Sequence, residues 1–209
     1  MSRWPDLSET ASQTAGPYVH IGLAPDAAGF EVYDNELGRD IAGPDAKGER
    51  IRVEGAVFDG TGAPLTDVLI EVWQANAAGI YPSPGDPRCG EVEESFRGWG
   101  RAVPDFATGR FAFDTIKPGA VPGPGERPMA PHLTLWLVAR GINVGLHTRM
   151  YFSDEAEANA ADPVLARIEQ AHRRETLIAR REEDEDDHAV TYRFDIHLQG
   201  ERETVFLDV

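Results

Sequence analysis

Two side chains in this sequence have the character and the surroundings of iron ligands. Tyr81 closes the segment that runs from Glu71 through Asn76 and Gly79, and His132 stands in Ala130-Pro131-His132-Leu133-Thr134. Phenolate is a hard anionic donor suited to Fe(III), and imidazole ligates first-row metals well. A mononuclear ferric site that activates a catechol calls for two of each. Two imidazoles from one strand require His-x-His, because side chains at i and i+2 share a face. Here the second position is Thr134. The chain carries half of a donor set, which points to a partner subunit. Each residue also has a plainer reading. His132 can be a buried imidazole hydrogen-bonded on a strand, and Tyr81 a packed ring with a satisfied hydroxyl.

Such residues need a rigid frame, and the hydropathy pattern predicts a β-rich one. Ile51, Val53, Gly55 and Val57 alternate with Arg52, Glu54 and Ala56, and Asp59-Gly60-Thr61-Gly62 follows as a turn. Further alternating runs are Val68-Ile70-Val72, Phe111-Phe113, Leu133-Leu135-Leu137, Leu146-Thr148-Met150-Phe152 and Val190-Tyr192-Phe194-Ile196-Leu198. Short runs separated by Gly/Pro-rich turns predict an antiparallel β-sandwich, not βαβ units. His147 and His197 lie opposite the apolar rows of their strands and are assigned no chemistry. Trp73 and Trp136 are expected in the core or an interface. The stretch 81–128 shows one convincing strand within long loops, and loops of that length tend to carry function.

One helical segment is expected over 154–181. Ser153 is its N-cap, Asp154 and Glu155 fill the first turn, and Asp162-Pro163 stops one helix and caps the next through Val164, Leu165 and Ile168. The division expected is an arm with loops over 1–48, punctuated by Gly16-Pro17, Ala24-Pro25 and Gly43-Pro44, and one sandwich domain over 49–209.

Lys and Arg number 20 against 36 Asp and Glu, a net charge of −16. That balance disfavours nucleic-acid backbones and anionic membranes. No apolar run reaches the length of a bilayer span, and the N-terminus lacks the apolar core of a signal peptide. A single cysteine, Cys89, leaves no internal disulfide, which suits a reducing cytoplasm. The acidic run 182–187 reads as a solvated loop or as a patch for a partner.

Several stretches together resemble the intradiol ring-cleavage dioxygenases. They are Val53-Glu54-Gly55-Ala56-Val57-Phe58-Asp59, Val68-Leu69-Ile70-Glu71-Val72-Trp73-Gln74-Ala75, Gly98-Trp99-Gly100-Arg101, Thr115-Ile116-Lys117-Pro118-Gly119 and Tyr192-Arg193-Phe194-Asp195-Ile196. The likeness runs from about residue 10 to the C-terminus. The opening Thr10 to Leu23, with Ala139-Arg140-Gly141-Ile142-Asn143 and Glu203-Thr204-Val205-Phe206, is similar to the non-iron α subunits of the heteromeric members.

The resemblance implies two Tyr and two His on Fe(III) in the catalytic chains. Tyr81 matches the first Tyr and His132 the first His, whereas Val121 and Thr134 stand at the other two places; Met129 stands where an Arg is expected. It therefore implies a chain that binds no metal alone and an iron-bearing β subunit in a hetero-oligomer. That assembly would cleave 3,4-dihydroxybenzoate with O2 to 3-carboxy-cis,cis-muconate. The resemblance further assigns Thr14, Gly16, Pro17 and Arg140 to the wall of the partner's substrate cavity. Arg140 could fork onto a carboxylate or form an ordinary salt bridge, and 14–17 could be a plain loop. Two rivals stay open: a free-standing dioxygenase acting on another catechol, and a sandwich module that binds a ligand without catalysis.

Overall fold

The computed structural model describes residues 13–16, 18–34, 37–182 and 190–208. Eleven strands are present among them. They are β1 (Arg50–Phe58), β2 (Leu69–Trp73), β3 (Trp99–Ala102), β4 (Arg110–Ile116), β5 (Val121–Pro122), β6 (Pro128–Met129), β7 (His132–Val138), β8 (Leu146–Phe152), β9 (Ile178–Glu182), β10 (Val190–Arg193) and β11 (Ile196–His197). Helices are short: α1 (Val19–Leu23), α2 (Ala156–Ala161) and α3 (Ala171–Arg174).

The strands form a sandwich. One layer holds β4, β1, β10 and β9, the other β8, β7, β2 and β3, and a two-residue pairing of β8 with β9 joins them. The alternation seen in the sequence is the reason. Ile51, Val53 and Val57 of β1 point into one core with Ile70, Val72, Leu133, Leu135, Leu137, Met150 and Tyr192, all almost fully buried. Burying such side chains is worth about 1.5–3 kcal/mol each. On the outer face of the first layer, Arg52 stands opposite Asp114 and bonds it at 3.0 Å.

The sheet is mixed, which corrects the purely antiparallel expectation. β1 runs parallel to both β10 and β11, and β8 runs parallel to β9. The alternating run from Val190 to Leu198 is also broken. At Phe194-Asp195 the chain kinks, and the Asp195 carboxylate accepts the Ala56 N–H at 3.0 Å in place of a ladder bond. Gly55 permits this, since a Cβ there would overlap the carbonyl oxygen of Phe194.

The segment 154–181 is helical only in part. Its last residues form β9, and Ser153 is not a cap: its hydroxyl accepts the Arg181 N–H at 2.9 Å. Asp162 does what the sequence suggests. It ends α2, and its Oδ1 accepts the N–H groups of Val164 and Leu165 at 2.8 and 2.9 Å. β3, inside the loop-rich stretch, carries no alternation strong enough to announce it. Four of the stretches carrying the resemblance turn out to bind one another. Gln74 meets the Thr115 hydroxyl at 2.7 Å, Arg101 pairs with Glu71 at 2.7 Å, and Lys117 and the Tyr192 hydroxyl meet on Asp154 at 2.8 and 2.9 Å.

Of the acidic run, Glu182 lies on β9 and accepts from Arg180 at 3.1 Å; residues 183–187 lie outside the described residues. Cys89 is a free, half-buried thiol in a single turn. No helix among the described residues is long and apolar enough to cross a membrane.

Candidate functional site

Pairing register decides which side chains share the outer face of the second layer. In β7 the residues Leu133, Leu135 and Leu137 face the core, so His132, Thr134 and Trp136 face outward. The register sets Tyr151 opposite His132, Arg149 opposite Thr134 and His147 opposite Trp136. On the other flank, Trp73 of β2 lies opposite Thr134. One row across the sheet therefore reads Trp73, Thr134, Arg149.

Tyr81 reaches this row from the loop after β2. Asn76 builds the loop, its side-chain oxygen accepting the N–H groups of Ala78 and Ile80 at 3.0 Å each. Gly79 holds φ +70°, a conformation other residues avoid, and a Cβ there would collide with the Ala120 carbonyl. The Tyr81 ring then stacks on Trp73 at 5.8 Å between centroids and 10° between planes. Its hydroxyl bonds no other described residue and is not cut off from solvent. Burial raises the phenol pKa, against a smaller lowering by Arg149. The neutral phenol is thus favoured over phenolate.

His132 is 3% exposed, and its Nδ1 lies 2.7 Å from the Ala130 carbonyl, so Nδ1 carries the proton and donates it. Nε2 is left as a bare acceptor, buried and unpartnered. This is the posture of a metal-binding imidazole, oriented by a carbonyl on its other nitrogen. The imidazole pKa is pushed down to about 4, first by burial and then by the positive charge of Arg149. Val121 completes the group: β5 pairs it with Met129, whose sulfur lies 3.3 Å from Arg149 Nη1. Tyr81, Val121, His132 and Thr134, far apart in sequence, therefore gather on one patch.

A ferric ion does not suit this patch. Val121 offers no donor atom, Thr134 offers a neutral hydroxyl, and the phenol is held in its protonated form. The decisive feature is Arg149, a guanidinium set directly across from Thr134 and bonded to Tyr151 OH at 3.3 Å. A fixed positive charge there opposes any cation. The sequence does not single out Arg149. It belongs to the row opposite Leu146, Thr148, Met150 and Phe152, but only the β7–β8 register brings it to Thr134.

The second group of residues gathers elsewhere. Thr14 docks on the turn after β7: its hydroxyl donates to the Ala139 carbonyl at 3.2 Å and accepts the Gly141 N–H at 2.9 Å. Arg140, between those two residues, has its side chain 65% exposed and pairs through Nε with Asp67. The salt-bridge alternative is thus realised, on one edge of the guanidinium. Gly16 is exposed, with nothing within 4 Å of where a Cβ would be. Pro17 lies outside the described residues. His132 opens β7 and Arg140 lies in the turn that follows it, so the length of the strand, about 20 Å, separates them. One chain thus presents two separate patches, a metal-like cluster without a donor set and an Arg/Thr edge.

A family model described as Dioxygenase matches residues 24–200. The chain is 52% identical over 202 residues to protocatechuate 3,4-dioxygenase alpha chain of Pseudomonas putida, covering 97% of each. It is 40% identical over 204 residues to the protein of that name from Burkholderia cepacia, covering 97% of this chain and 98% of the relative. It is also 42% identical over 158 residues to protocatechuate 3,4-dioxygenase beta chain of Burkholderia cepacia, covering 73% of this chain and 66% of that one.

Proposed function

This chain belongs to the intradiol dioxygenase family, and from that premise we propose that it is the non-iron α subunit of a heteromeric protocatechuate 3,4-dioxygenase. The assembly inserts both atoms of O2 into 3,4-dihydroxybenzoate between its hydroxylated carbons and yields 3-carboxy-cis,cis-muconate. Fe(III), held by a β subunit, supplies the activation of the catechol. The observation that carries the division of labour is Arg149: a guanidinium lies across from Thr134 in the cluster where a metal would need anionic donors. Relatives named as alpha and beta chains of one enzyme support the pairing.

In this reading the work of the chain is done at the other end of β7. Thr14 locks the arm to the Ala139–Gly141 turn, and Gly16 leaves room for a flat ring to approach at the cavity of the β subunit. Arg140, held on one edge by Asp67, keeps further donors for the substrate carboxylate. These contacts orient the substrate and keep water out; they move no proton. The compartment is the cytoplasm, in line with a lone, free cysteine.

The test is to express this chain in iron-rich medium with and without an iron-bearing homologue. The expected result is no stoichiometric iron and no tyrosinate–Fe(III) band alone, and a defined complex with iron when the two are together. One iron per copy of this chain by itself, with that band, would establish the free-standing enzyme instead. A ligand-binding module would form no such complex.

A further inference from the structure

Asp67 stands where the sheet itself would place a partner for Arg140. β2 and β7 pair Leu69 with Val138, and two residues further along the same register Asp67 comes opposite Arg140. Directly opposed side chains share a face and lie within reach of each other. The Asp67 carboxylate meets Arg140 Nε, and the Asp67 side chain is 16% exposed against 65% for Arg140. The acid is thus the fixed member of the pair and the guanidinium the free one. The base under Asp67 is firm. Val68 is fully buried, and α1 is fastened to it through His20, whose ring bonds the Val68 backbone and packs on Phe106 at 5.2 Å between centroids. The backbone on either side of Arg140 is held as well, by the Thr14 hydroxyl on the Ala139 carbonyl and the Gly141 N–H. What such a turn leaves loose is the arginine side chain, which carries much rotamer freedom. A carboxylate on Nε removes that freedom and leaves donors on the terminal nitrogens for a second anion.

We infer that Asp67 is the positioning residue that aims Arg140, and that it thereby sets the preference of the assembled enzyme for a catechol bearing a carboxylate. The inference rests on the substrate-binding role given to Arg140 above. Removing the Asp67 carboxylate has two opposed effects. It unmasks the charge of Arg140, which at this exposed, salt-screened place favours an anionic substrate by no more than about twofold. It also frees a long side chain that the substrate must then order, which weakens binding by about five- to tenfold. The second effect is the larger, so the net result is weaker binding of the carboxylate-bearing substrate.

The test is steady-state kinetics of the assembled enzyme with 3,4-dihydroxybenzoate and with catechol. Asp67→Ala and Asp67→Asn are each made alone and on Arg140→Ala. Asp67→Ala is expected to raise KM for 3,4-dihydroxybenzoate about threefold or more, with kcat held and the KM of catechol unmoved. Asp67→Asn is expected to fall between, since its amide oxygen still accepts from Nε without the charge. Should Asp67→Ala fail to assemble, the isosteric Asp67→Asn carries the test. On Arg140→Ala, neither change at Asp67 is expected to raise KM further, because no side chain is left to aim. Three outcomes would overturn the inference: a KM for 3,4-dihydroxybenzoate that stays or falls when Asp67 is changed, equal damage to both substrates, or a full effect of Asp67→Ala on Arg140→Ala. If Arg140→Ala raises KM and the Asp67 variants do not, the role of Arg140 stands and only that of Asp67 is refuted. If Arg140→Ala itself leaves KM unchanged, the role of Arg140 in the function proposed above fails, and the aiming role of Asp67 with it.

Discussion

Arg140 meets Asp67 through Nε, and with its side chain 65% exposed it is not consumed by that pair. If its remaining donors receive the substrate carboxylate, their contribution is to binding in ground and transition states alike, so it shows in KM and not in kcat. Hydrogen bonds to charged groups are worth about 1.5–3 kcal/mol, so Arg140→Ala in the assembled enzyme is expected to raise KM for 3,4-dihydroxybenzoate about 10- to 100-fold. Catechol, lacking the carboxylate, should keep its KM. Equal damage to both substrates would mean that Arg140 only holds the turn against Asp67. His132 carries a different expectation. Its pKa falls from 6.5 to about 4 on folding, through burial and then Arg149. Between those values the unfolded chain takes up a proton that the folded chain refuses, so stability is present above about pH 6.5 and is lost as pH falls toward about 4. The loss at full expression is about 3 kcal/mol. His132→Phe should therefore flatten the dependence of Tm on pH across that window, and an unchanged slope would contradict it. At this scale the sequence was legible where chemistry is written in residue types: Tyr81, His132 and the replacements Val121 and Thr134 do gather. Arg149 was not, because an arginine on the outer row of a strand looks solvated until the pairing partner of that strand is known.

Asp162 ties several elements with one carboxylate. Besides capping the turn at Val164 and Leu165, it takes the Ala130 N–H at 2.8 Å and the Tyr151 hydroxyl at 3.3 Å, and it is fully buried. It thereby fixes the segment entering β7, the end of β8 and the short helices against one another, over the small core of Tyr151, Leu165 and Leu177. Asp162→Ala leaves the buried N–H groups of Ala130 and Leu165 and the partly buried one of Val164 without an acceptor. With unsatisfied groups costing about 1–3 kcal/mol each, the variant is expected to lose about 3 kcal/mol or more, read as a fall in denaturant midpoint; a change within error would show that water replaces the carboxylate without penalty. Elements were legible from period-two alternation wherever one face met the core, as in β1, β2, β4, β7 and β8. The helical reading failed over 178–181, where the charged Arg180 and Arg181 of β9 hide the pattern, and the turn chemistry of Asp162 was read correctly because its mechanism is local.

Across the whole molecule, large apolar side chains stand exposed in the segment before the sandwich. Tyr18, Phe30, Val32, Tyr33 and Leu37 are each 50–75% exposed. Such a surface favours association, and the net charge of −16 opposes contact between like copies. The isolated chain is therefore expected to self-associate increasingly as salt screens that charge, and to give a single defined species with an iron-bearing partner; sedimentation across a salt series reads both. A monomer at every ionic strength, with no affinity for the partner, would count against the subunit role. The sandwich itself was legible from short alternating runs between Gly/Pro turns, but its parallel pairings were not, because alternation specifies which face is buried and is silent on which strand lies alongside. Those pairings carry a consequence in time. β10 lies between β1 and β9, and the bond from Ala56 to Asp195 spans 139 residues. At about 5–20 residues per second a ribosome needs on the order of ten seconds to deliver that partner. Until then β1 has β4 on one edge and an open ladder on the other, so the centre of this layer is the last part of the molecule to close.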